Sequence, residues 1–222
     1  MLLKKNNYYG KHKNYILKGT INQSNKQFKE SADKQCTAIC AYAIAFSSII
    51  PVQDWNTHVL DRIIKEGNFF YNYCQTSLRQ KNIIYNAYLA VDEILEDVHL
   101  NSQVLKLSQY LDFEYDNTRQ GQLGSYDIIK HMEEFLNILT DCLNLILIVK
   151  NYSFAIIKHL DYVYFLDSHE NYGKSCGSNA YVKKFHKTVA PQEIYKHLVD
   201  LFLSVDITYT ISFIEVCPKI NY

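Results

Sequence analysis

Cys36 stands immediately ahead of a run of small and apolar residues, TAICAYAIAF. Such a run favours a helix buried on most sides, so its first residue sits where unpaired N–H groups and the aligned backbone dipole favour negative charge. A thiol placed there is more readily ionised than a free one, and the thiolate is the nucleophilic form. Attack on a carbonyl also needs an imidazole to share the proton and later deliver it, and a third group to fix the imidazole's tautomer. Eight histidines are available. His169, in YVYFLDSHENYG, ranks first. If Tyr162 to Asp167 is a strand, the period of two brings Asp167 and His169 to one side of the backbone as the strand runs out into a loop. His159 with Asp161, in KHLDY, has a similar spacing in reverse order, in a turn between strands, and ranks second. His186 ends a strand with no acid close in sequence, while His12, His58, His99, His131 and His197 lie in polar or helical contexts. Each half of the pair also has a purely structural reading: a small buried hydrophobe for Cys36, a turn with a solvated imidazole for His169.

The elements that must position these groups fall in two blocks. Residues 1–22 read as part of a loop-rich N-terminal arm without sustained period. From Cys36 a central helix runs toward Pro51, which stops it; Asp33 lies near its start. QDWNTHVLDRIIKEG places Trp55, Val59, Leu60, Ile63 and Ile64 on one helical stripe, with Asp54 as cap and Gly67 closing a second helix. FFYNYCQTSLRQ and IIYNAYLAVDEILEDV are further helical candidates, diluted by aromatic and β-branched residues. The breaker-rich DNTRQGQLGS precedes a helix near Tyr126 to Leu139. The pattern then changes. LNLILIVK, SFAIIKH and DYVYFLDS are short runs rich in β-branched and aromatic residues, separated as in an antiparallel meander. NAYVKKFH reads as another strand, PQEIYKHLVDLF as a helix with Pro191 in its first turn, and TYTISFIEV as a last strand. Helices first and sheet second argue for an α+β fold rather than a doubly wound sheet.

Composition bounds the function. A chain of 222 residues with 48% hydrophobic and 21% charged residues reads as one globular domain spanning 1–222. Its 23 basic and 23 acidic residues cancel, so no net field favours nucleic acid or anionic lipid, and neither is expected as a partner. The six cysteines, Cys36, Cys40, Cys74, Cys142, Cys176 and Cys217, lack the spacing of a disulfide framework and read as reduced thiols of an intracellular protein, cytoplasmic or nuclear. No C-x-x-C pair or H-x-x-x-H completes a zinc site with Cys36 and Cys40, and no glycine-rich phosphate loop is present, so neither metal nor cofactor is expected. The acidic run VDEILEDV, with Asp92, Glu93, Glu96 and Asp97, reads as a solvated helix face or as a contact for a basic peptide tail.

QCTAICAYAIAF near the start and YFLDSH far downstream together resemble the herpesvirus large tegument protein deubiquitinase and its tegument-like relatives. The resemblance spans roughly Gln23 to Phe185 and is specific at its two ends. It implies a papain-like cysteine protease fold in which Cys36 is the nucleophile, His169 the general base and Asp167 the third triad member. It also implies a glutamine about a dozen residues upstream of the cysteine whose amide donates to the oxyanion. Gln23 is the matching position, and Gln27 and Gln35 are rivals. Relatives often carry a basic residue soon after the histidine, where this chain has Glu170. The implied activity is hydrolysis of the bond after the C-terminal glycine of ubiquitin by a monomeric enzyme. The competing readings are a protease or acyltransferase for a ubiquitin-like modifier and a non-catalytic ubiquitin-binding module.

Overall fold

The computed structural model describes residues 15–83, 87–94, 96–100, 103–109, 118–138, 143–170 and 179–218. Its first helix, α1 (Cys36–Ser47), is buried along its whole length from Cys36 to Phe46, as its all-round apolar sequence requires. The second, α2 (Thr57–Gln80), is capped by Asn56, whose side chain accepts from the Val59 N–H. It does not stop at Gly67 but runs on through FFYNYCQTSLRQ, so the two helices expected there are one. Gly67 serves the crossing with α1 instead of a cap: a Cβ there would lie 2.8 Å from Ile39 Cγ1 and 2.9 Å from Ile39 Cα. Glycine is needed for close approach of two backbones.

Among the described residues, a nine-stranded sheet carries the rest. Its strands are β1 (Ile16–Lys18), β2 (Asp97–Leu100), β3 (Gln103–Gln109), β4 (Thr118–Gln122), β5 (Leu143–Val149), β6 (Tyr152–His159), β7 (Tyr162–Asp167), β8 (Tyr181–His186) and β9 (Thr208–Pro218). They lie in the order β1-β8-β7-β6-β5-β9-β3-β2, with β4 also on β9, and every pairing is antiparallel. The expected meander is β5 to β7, and the further expected strand, β8, lies beside β7. Two helices, α3 (Asp127–Asn137) and α4 (Ala190–Phe202), complete the fold. Ala155, Ile157, Tyr164 and Leu166 face α1 and α2, whereas Phe154, Ile156, Val163 and Phe165 face the α3 and α4 side. Covered on both faces, the central strands read as unbroken apolar runs rather than alternating ones.

Four expectations need correction. Residues 16–18 of the supposed loop-rich arm form an edge strand on β8, while residues 1–14 lie outside the described residues. The described residues of IIYNAYLAVDEILEDV do not form the expected helix: they include a short turn, Val91–Glu93, and enter β2 at Asp97, where Val98 and Leu100 bury alternate positions, while 84–86 and 95 lie outside the described residues. The acidic run is therefore no helix face. Glu93 accepts from the Ala90 N–H and Glu96 pairs with Lys106. Finally, TRQGQ in the breaker-rich stretch is a strand, because β9 offers it a partner edge from Thr208 to Ser212. Its Gly121 lies under Tyr209, whose hydroxyl oxygen would be 2.6 Å from an added Cβ. No helix among the described residues is long and apolar enough to cross a membrane.

Candidate active site

The site lies where α1 begins and the β6–β7 pair ends. Gln35 precedes the helix without a side-chain cap, so the N–H groups of the first turn are not closed off by their own chain. Cys36 is only 3% exposed, and its Sγ lies 3.6 Å from the Ser153 hydroxyl and 3.8 Å from the Asn151 carbonyl oxygen. Asn151 is the turn residue before β6 and Ser153 lies at its start, and the next β6 residue, Phe154, is opposite Asp167 on β7. The register thus brings the end of β7, and His169 beyond it, alongside the residues that touch the thiol.

Asp167 is fully buried and uses one oxygen twice. Its Oδ1 accepts from the His169 backbone N–H at 2.9 Å and bonds His169 Nδ1 at 2.7 Å. This double bond clamps the ring and its peptide together, fixes the tautomer, and leaves Nε2 as the nitrogen available to Cys36. Nε2 is buried and makes no closed hydrogen bond among the described residues. Each of the two groups nonetheless acts on the other's ionisation. Burial pushes the His169 imidazole down, but the Asp167 charge, the Asp167 hydrogen bond and Cys36 together raise it to about 9. Burial likewise pushes the Cys36 thiol up, and His169 with Ser153 brings it below the ordinary thiol value. An open contact of this kind is usual before a substrate tightens the site. The arrangement favours a thiolate facing an imidazolium.

Aromatic rings wall the imidazole on the α4 side. Tyr152 lies 4.5 Å and Phe154 5.7 Å from the His169 ring, centroid to centroid, and Phe202 packs edge-on against Tyr152 at 5.4 Å. Ser153, between them in sequence, points to the opposite face and α1, so the two halves of the site meet around the end of the strand pair rather than through the sheet.

Gln23 is 2% exposed and tied to the same segment. Its N–H donates to the Ser168 carbonyl at 2.8 Å, and its Oε1 accepts from the Ser168 hydroxyl at 3.0 Å. No described residue engages its Nε2. The rivals point elsewhere. Gln35 Nε2 donates to the Gln23 carbonyl at 3.2 Å and to Asn68 Oδ1 at 3.3 Å, bracing the loop from behind, and Gln27 is exposed. Among the histidines, His159 ends β6 at its far end, beside Ser47 and Ser48 at the far end of α1. Twelve helical residues separate it from Cys36, about 18 Å along the axis. Asp161 pairs with Lys187 instead of His159. His186 bonds Thr188, His197 bonds Tyr181, His131 bonds Tyr209, and His58 and His99 are exposed. His12, Cys142 and Cys176 lie outside the described residues. Among the described residues no cluster of three or more His, Cys, Asp or Glu side chains could hold a metal. Sequence reasoning missed Tyr152, Ser153 and Ser168. The one signal for them was the strand register, which pairs the start of β6 with the end of β7.

In a structural comparison the chain is similar to the ubiquitin-specific protease encoded by murine cytomegalovirus tegument protein M48, solved in complex with a ubiquitin-based suicide substrate. The two share 14% identity with a TM-score of 0.79 over 93% of this chain and 88% of that one. The Pseudomonas avirulence protein AvrPphB is more distantly similar, at 12% identity and a TM-score of 0.50 over 89% and 97% of the respective chains. The fold is therefore the α+β papain-like cysteine protease fold. A search of curated proteins by sequence gives no match. The family model for the herpesvirus tegument protein N-terminal conserved region matches residues 18–219, and the chain belongs to that family.

Proposed function

We propose that the chain is a deubiquitinating cysteine protease, with Cys36 as nucleophile, His169 as general acid and base, Asp167 as its orienting partner and Gln23 as oxyanion donor. The observation that carries this reading is the Asp167–His169 clamp, which holds the imidazole beside a thiol at a helix start. The likeness in fold to a protease captured on a ubiquitin-based substrate supports ubiquitin as the acyl donor.

The Cys36 thiolate attacks the carbonyl carbon of ubiquitin's C-terminal glycine, and the electron pair of the C=O bond moves to oxygen. The Gln23 Nε2 and the N–H of Cys36 donate to that oxyanion. Collapse expels the leaving amine, which takes the proton from His169 Nε2 and leaves a thioester on Cys36. Neutral His169 then removes a proton from water, the resulting hydroxide attacks the thioester, and the thiolate and imidazolium are restored. The glycine pair at ubiquitin's tail would suit a narrow passage between the start of α1 and Tyr152, because glycine lets a chain pass close to both walls.

The test is labelling by ubiquitin bearing a C-terminal electrophile, together with hydrolysis of ubiquitin carrying a fluorogenic leaving group. Wild type is expected to be labelled and to turn over. Cys36→Ala abolishes both, and His169→Ala abolishes turnover. Labelling by a ubiquitin-like probe alone would overturn the substrate assignment. Ubiquitin binding without turnover by wild type would overturn the enzymatic one.

A further inference from the structure

The Cys36 sulfur has a second neighbour besides the imidazole. Ser153, 2% exposed on β6, places its hydroxyl 3.6 Å from Cys36 Sγ and 2.9 Å from the hydroxyl of Thr37, the residue after the nucleophile. Thr37 is itself buried, so neither hydroxyl has bulk water as an alternative partner. Each hydroxyl donates one hydrogen. If Ser153 donates to a sulfur anion, Thr37 must donate to Ser153, and the chain Thr37 O–H to Ser153 Oγ, Ser153 O–H to Cys36 Sγ satisfies every member in one direction. With a neutral thiol the direction reverses at the sulfur and the chain gains nothing from charge. The groups that face Cys36 from its surroundings are few: His169 after β7, Asp167 behind it, and Cys40 one turn along α1, whose thiol burial keeps well above its ordinary value and hence neutral.

We propose that Ser153 is a positioning residue for the nucleophile, its hydroxyl oriented by Thr37 to donate to the ionised Cys36 sulfur. The inference rests on Cys36 being the nucleophile of the reading above, and adds a donor to the sulfur besides His169. Ser153 also holds Cys36 against the start of β6, where the backbone of Asn151 closes the remaining side. The lowered Cys36 value is consistent with a donated hydrogen bond from this residue, next to the larger effect of His169.

The experiment measures ionisation of Cys36 directly, through its thiolate ultraviolet absorbance against pH, with Cys36→Ala as the blank. Iodoacetamide reactivity against pH is the second readout. A charge-assisted hydrogen bond corresponds to about one pH unit, so Ser153→Ala is expected to move the acid limb up by about one unit and to slow alkylation at fixed acidic pH about tenfold. Thr37→Val is expected to move it in the same direction by less, and Thr37→Ser, which keeps the hydroxyl, to leave it in place. A residue that merely fills space would alter stability and leave the limb unmoved. A folded Ser153→Ala whose limb coincides with wild type overturns the proposal. Should Ser153→Ala fail to fold, an unmoved limb in Thr37→Val overturns it equally. Neither readout needs ubiquitin: a shift in a protein that turns over no ubiquitin substrate refutes the deubiquitinase reading and leaves this one standing.

Discussion

Asp167→Asn isolates the electrostatic part of the site from its shape. In the native protein the imidazole of His169 is held at about 9, and burial, the largest single influence on it, acts the other way. Lifting it from an ordinary value near 6.5 corresponds to about 3 kcal/mol in favour of the protonated ring, net of the cost of burial. Asparagine keeps the volume and a carbonyl acceptor but removes the charge, so burial is less opposed and the ring holds its proton less tightly. The leaving amine loses its proton donor, and the thiolate loses the cation that favours it. A loss in kcat/KM of about 10²–10⁴ follows, by analogy with triads whose orienting carboxylate is made an amide. The sign of the pH effect is equally definite. Wild-type activity rises as Cys36 ionises and falls as His169 loses its proton near pH 9; in the variant the alkaline limb moves down. The assay is a pH–rate profile on ubiquitin with a fluorogenic leaving group, joined to an NMR titration of the His169 ring. His159→Ala, at the far end of β6, serves as a control whose profile is expected to match wild type. An Asp167→Asn protein that keeps a limb near 9 and activity within about threefold of wild type would refute the reasoning, since the carboxylate would then supply none of the stabilisation assigned to it.

Two further expectations concern the oxyanion and the core. Gln23→Ala is expected to lower kcat about a hundredfold with little change in KM, because its Nε2 would meet the oxygen only as charge develops; an equal loss in KM would make it a binding residue. Gly67→Ala is expected to destabilise the fold despite the helix preference for alanine. An added Cβ would sit 2.9 Å from Ile39 Cα, so backbone must move. Overpacking costs about 1–3 kcal/mol against about 1 kcal/mol gained in propensity, a net loss of up to about 2 kcal/mol. A urea midpoint equal to or above wild type would show that α1 and α2 can separate freely.

Much of this protein was legible in its residues because the governing signals are local. The apolar run after Cys36 favoured a buried helix, β5, β6 and β7 announced themselves by β-branched and aromatic runs broken by two-residue turns, and β8 by a further such run. The clamp of Asp167 on His169 is local too, since two residues of spacing at a strand end suffice to make it. The failures share a different cause. Gly67 reads as a helix stop until Ile39 is seen against it, and TRQGQ reads as a turn until β9 supplies an edge. A residue's conformation there depends on a partner distant in the chain, and no period within a short window encodes that partner. The same holds for the site. Ser153 and Tyr152 carry no motif, and they reach the thiol and the imidazole only because antiparallel register sets Phe154 against Asp167. The sequence alone determined which side chains could do the chemistry. Tertiary pairing decided how close they come, because register and helix crossing are summed over many weak contacts that no single stretch of chain contains.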